Sequence, residues 1–154
     1  MYILIVAALT FVLPAASIIV DAAISHHATW GAAVIGRWFV FWAVGVRLFI
    51  AGLRQIIQPR YTAEIILGIK GGDSLIIVRE LGFANVAMGS IGIATVLAPA
   101  WIPPAALAGG IFYGLAGLNH FAHERRNRLQ NVAMTSDLFV ASVLLTFCAA
   151  SWLL

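Results

Sequence analysis

The stretch "GLNHFAHERRNR", residues 117–128, places Asn119, His120, His123 and Glu124 beside three arginines. His120, His123 and Glu124 stand three and four positions apart, so a helix would carry them on one face. Imidazole titrates near neutral pH and ligates metals, which makes proton handling and metal binding the two chemistries to weigh. A metal site needs more ligands than this face supplies. The other histidines, His26 and His27, fall at the opposite end of the layout derived below, about 30 Å away. Haem held by two histidines needs opposed imidazoles at matching depth on two helices, and only this segment offers any. No metal and no cofactor is therefore expected. The sequence also holds no nucleophile–base pair and no phosphate loop, since "GIKGG" lacks the G-x-x-x-x-G-K-[ST] order, so no catalytic residue is assigned.

The elements that must position these groups follow from composition. The 154 residues are 62% hydrophobic and 10% charged, against about 45–50% and about 25% in soluble domains. Six acids and nine bases are too few to cover a water-facing surface, so lipid is the expected solvent. Cys148 is the only cysteine. It excludes an intrachain disulfide and leaves the redox compartment unread. No internal repeat or disordered tail is visible, and the chain reads as one transmembrane domain, 1–154.

A bilayer core about 30 Å thick takes about 20 apolar helical residues. Five segments fit: about 2–24, with Pro14 mid-run; 30–57; 80–101; 105–124, after the reversal at "IPP" 102–104; and 135–154, with "TSD" as its N-cap. The fold class is thus all-α, a polytopic transmembrane helical bundle of five spans. It would have four if the first helix were cleaved as a signal peptide, but "MYILIV" lacks the positive charge that a secretory n-region wants. Residues 58–79 hold apolar runs too short to span and a turn at "KGGDS", and read as an interfacial or re-entrant segment, with a surface β-hairpin as the lesser alternative. In this layout Arg54, Arg60, Lys70, Arg79, Arg125, Arg126 and Arg128 fall on one side, and the opposite loops carry no Lys or Arg. The positive-inside rule then puts the N-terminus in the cytoplasm and the C-terminus outside. Trp30, Trp101 and Trp152 fall near the outer interface.

An ionisable group inside a span costs about 2.5–3.5 kcal/mol and needs a partner or a role. Arg47 is about 9 Å from the inner interface by helical rise, so it either snorkels or pairs with an acid. Asp21 is the natural partner of Arg37. Glu80 reads as an acid at the start of the third helix, favoured by the macrodipole. Asn85, with Gly89 and Gly92, makes a small-and-polar stripe of the kind that packs helices closely, and Asn85 must hydrogen-bond to a neighbour. Gly109, Gly110, Gly114 and Gly117 give the fourth helix a close-approach face, expected against the third. Arg47, Arg54, Glu64, Glu80, Asn85, His120, His123 and Asp137 could share an inner-leaflet cavity. Glu80, Asn85, His120 and Arg47 are its foremost ligand-binding candidates, with Glu64, His123 and Asp137 behind them.

The run "PRYTAEIILG…RELGFANVAMGSIGI…AGLNHFAHERRN…SD", carried by Tyr61, Thr62, Glu64, Glu80, Gly82, Asn85, Gly89, His120 and Asp137, resembles an uncharacterised family of small bacterial integral membrane proteins. More distantly the helix order is similar to DoxX-like proteins, four-helix membrane proteins of which some are linked to quinone-dependent oxidation. The resemblance implies a bacterial inner-membrane protein and supplies no function to carry over. Three functions follow as expectations: binding of a lipid, quinone or similar amphiphile in an inner-leaflet polar pocket; service as a structural subunit of a membrane complex or homo-oligomer, with the glycine stripes meeting another chain; or proton-coupled transport with His120 and an acid as relay. Acid–base catalysis on a lipid-soluble substrate stays open. Membrane lipids are expected partners and nucleic acid is not.

Overall fold

The structure, a computed structural model, describes residues 1–24, 31–124 and 126–153. Five long helices organise them: α1 (Tyr2–Ile24), α2 (Ala32–Ile57), α3 (Gly72–Ala94), α4 (Ile102–Ala122) and α5 (Arg128–Leu153). All five are long and apolar enough to cross a membrane, and no strand occurs among the described residues. The protein is an all-α membrane bundle. His26, His27, Trp30 and Arg125 lie outside the described residues.

Three helices start earlier than the sequence led us to expect: α4 begins at Ile102, so "IPP" forms its first turn, where proline is tolerated, and the reversal before it falls at Thr95–Trp101. Helix α3 begins at Gly72, not near residue 80, because "LIIVRELGF" continues one helix straight through its charged pair. Glu80 therefore lies about two turns inside α3, where Arg79 and Glu80 are both exposed, and the acid of the first turn is Asp73. What remains between α2 and α3 is a short helical segment, Tyr61–Ile66, and a bend in which Gly68 and Gly71 take positive φ of 72° and 129°. Helix α5 begins at Arg128, and Thr135–Asp137 are its interior. Its cap is Asn127: Asn127 Oδ1 accepts from the Gln130 amide at 2.9 Å while Gln130 Oε1 accepts from the Asn127 amide at 2.8 Å, a reciprocal box that satisfies two otherwise orphaned donors.

The seam between α2 and α3 is built from glycine. A Cβ on Gly92 would stand 2.5 Å from the Gly45 nitrogen, and one on Gly52 would stand 2.6 Å from the Gly82 carbonyl oxygen. Backbones this close are the small-residue packing that replaces the hydrophobic effect between helices in lipid. Because α2 occupies that face of α3, the glycines of α4 turn elsewhere. Gly110 packs on Leu144 and Leu145 of α5, Gly117 on Leu138, and Gly109 on Val44 of α2. The expected contact of α4 glycines with α3 is thus replaced by an antiparallel α4–α5 hairpin closed over residues 123–127. The core lies between α2, α4 and α5, around Val40, Val44, Tyr113, Val140 and Leu144. Helix α3 leaves Ile76, Ile77, Phe83 and Ile91 exposed, a lipid-facing surface.

Candidate functional site

Helices α1 and α2 each contain a stretch of wide turns, at Ala8–Val12 and Val40–Arg47. Such turns recur at functional sites because they rotate side chains out of the ordinary helical register. In α1 the stretch precedes Pro14, which lacks an N–H and crowds the carbonyl four residues back. In α2 the stretch ends on Arg47. The two stretches face each other, and across them Arg47 Nη1 donates to Thr10 Oγ1 at 3.3 Å.

Arg47 does not snorkel. Its Nη2 donates to Asp137 Oδ1 of α5 at 2.6 Å and to Ser136 Oγ at 3.0 Å, and its guanidinium lies 4.9 Å from the centroid of the Tyr113 ring. The Arg47 and Asp137 side chains are only 10% and 9% exposed, so this is a buried charge pair. Inside lipid each ion would be expensive alone, and together they are held by charge-assisted hydrogen bonds. Tyr113, fully buried, donates its hydroxyl to the Ala43 carbonyl at 2.5 Å, which ties α4 to the widened part of α2. Towards the other end of α1, Asp21 pairs with Arg37 at 3.5 Å and accepts from Trp38 Nε1 at 2.8 Å.

Beside the ion pair lies a cavity of about 210 Å³. It is walled by all five helices and by the Tyr61–Ile66 segment, in the half of the bundle that adjoins the basic connections. Asn85, His120, Arg47, Arg54 and Asp137 line it, with Tyr2, Gln55, Tyr61 and Thr62, between apolar walls that include Leu9, Leu81 and Phe112. Asn85 Nδ2 donates to Gln55 Oε1 at 2.8 Å across the glycine seam. Arg54 stacks over the Tyr61 ring at 3.5 Å, so the segment after α2 closes one side.

Of the residues expected to share this cavity, Glu64, Glu80 and His123 do not line it. Each is exposed. Glu64 and Glu80 sit on outward faces of their helical segments, and His123 follows the last turn of α4, where its Nδ1 pairs with the Asn119 carbonyl at 2.9 Å. Arg126 and Asn127 of the polar stretch 117–128 have an architectural role. Arg126 Nη1 donates to the carbonyls of Phe121 at 2.7 Å and His123 at 2.6 Å, closing the end of α4, as cationic side chains do at helix C-termini. Asn127 Nδ2 donates to the Ile66 carbonyl at 3.0 Å, fastening the Tyr61–Ile66 segment to the α4–α5 loop.

Sequence reasoning passed over Thr10, Gln55, Tyr113 and Ser136. One signal was available: Tyr113 and His120 are seven residues apart, two turns along one face, as are Arg47 and Arg54. The chain matches no family model, no curated protein and no solved structure. Fold and site define the class: a protein of five helices long and apolar enough to cross a membrane, with a polar cavity built around a buried arginine–aspartate pair.

Proposed function

We propose that the cavity binds an amphiphile, a lipid, quinone or similar molecule, with its polar end near Arg47, Asn85, His120 and Asp137 and its tail along the apolar walls. The observation that carries this reading is the cavity itself: largely apolar, with a few convergent polar groups, which is the usual make-up of a small-molecule site. Its volume of about 210 Å³ is below the roughly 300–1,000 Å³ of pockets that enclose whole ligands, so the head group and the first part of the tail lie between these walls and the rest of the tail extends beyond them. The basic connections support an orientation with the cavity in the cytoplasmic leaflet of a bacterial inner membrane, the N-terminus inside and the C-terminus outside.

The test is extraction of the protein, purified in mild detergent, with organic solvent, followed by mass spectrometry of what it carried. A stoichiometric amphiphile is expected, and Ala116→Trp, which fills the cavity from α4, should expel it while the helical circular dichroism stays unchanged. A protein that carries none, and gains no thermal stability from added phospholipid or quinone, overturns the proposal.

A further inference from the structure

Asn85 is 3% exposed and lines the cavity. Its Nδ2 is committed to Gln55 Oε1. Its Oδ1 is the one buried side-chain nitrogen or oxygen among the described residues that has no hydrogen-bond partner. An amide oxygen offers two lone pairs, and bulk water is absent from a bilayer interior, so an unpaired acceptor there is unfavourable. The neighbouring polar groups do not supply the missing donor: the Tyr113 hydroxyl is committed to the Ala43 carbonyl, and Arg47 is tied to Thr10, Ser136 and Asp137. The unmatched buried group of the cavity wall is thus an acceptor.

We infer that the buried end of the ligand carries a hydroxyl, and that Asn85 Oδ1 accepts a hydrogen bond from it and selects it over ligands bearing only acceptors. This rests on the amphiphile reading of the same cavity and narrows it to an alcohol, phenol or hydroquinone head in place of a quinone, ketone or ester. The selectivity arises from asymmetry. A hydroxyl satisfies the orphaned oxygen, whereas an ether or carbonyl of the same shape leaves it unpaired and adds a second buried acceptor against it, the situation in which polar sites discriminate most strongly.

The experiment compares two probes matched in ring and tail, 4-pentylphenol and its methyl ether 4-pentylanisole, by calorimetric titration of the detergent-purified protein. The phenol should bind about tenfold more tightly or better, the difference expected from one unmade hydrogen bond to a buried acceptor. The paired substitution Gln55→Leu with Asn85→Leu removes both amides, so that neither is stranded. It should bring the two probes within about twofold of each other. Equal binding of the two probes by the unsubstituted protein, or a preference for the ether, overturns the inference and leaves the amphiphile reading standing; a structural water on Asn85 would produce that result. Binding of neither probe overturns both. The comparison in the unsubstituted protein decides the matter whether or not the paired variant folds.

Discussion

At the scale of single residues, the Arg47–Asp137 pair is the group on which the cavity's geometry depends. It joins α2 to α5 directly, and through Thr10 and Tyr113 it reaches α1 and α4. Removing one member of a buried pair strands the other, a loss of about 3–5 kcal/mol, whereas replacing both by apolar side chains of similar volume is often neutral or better. Asp137→Ala should therefore destabilise the protein by about that amount in a denaturant titration in detergent, and Arg47→Met with Asp137→Leu should recover most of the loss. If the double variant were as weak as the single one, the pair would be a minor contributor and the core packing around it the major one. Arg47 was recognisable from the sequence as a charge that must pair or snorkel. Asp137 as its partner was not, because helical spacing relates residues on one helix and is silent about which faces of α2 and α5 meet.

At the scale of elements, glycine decides which helices touch. Gly92 and Gly114 both lie inside long helices, and by propensity alone alanine is worth about 1 kcal/mol more than glycine at either position. Their surroundings differ. A Cβ on Gly92 meets the Gly45 backbone at 2.5 Å, whereas one on Gly114 makes an ordinary contact of 3.7 Å with the Ala141 Cβ. Gly92→Ala should cost about 1–3 kcal/mol through overpacking, and Gly114→Ala should be neutral or stabilising by up to about 1 kcal/mol; thermal unfolding of both in one detergent checks the contrast. The glycine stripes were legible as packing faces, but their partners were not. Placing α4 against α3 followed from adjacency in sequence, and the α2–α3 seam had already taken that face. The same seams use within one chain the glycines that a homo-oligomer would have needed, so they give no support to that assembly.

At the scale of the whole molecule, chain direction through five helices puts the 58–71 and 123–127 connections at one end and the Thr95–Ala98 turn at the other, where Leu97 is 90% exposed. In a Cys148→Ala background, Lys70→Cys and Glu124→Cys should react with a membrane-impermeant thiol reagent from the cytoplasmic side of inverted vesicles, and Leu97→Cys only from the opposite side. Labelling of Lys70→Cys and Glu124→Cys from different sides would refute the five-span layout. By itself the sequence determined that the chain is too apolar for a water-facing surface, that it forms five helices long and apolar enough to cross a membrane, and that the basic charge gathers at one end. These are properties of composition and of runs about 20 residues long, which a linear reading contains in full. Only the tertiary structure decided that Asp137 answers Arg47, that Asn85 meets Gln55 and keeps one oxygen unpaired, and that Glu64, Glu80 and His123 face outward. Those outcomes depend on the rotation of each helix about its axis, and that rotation is set by glycine contacts and wide turns between segments far apart in the chain.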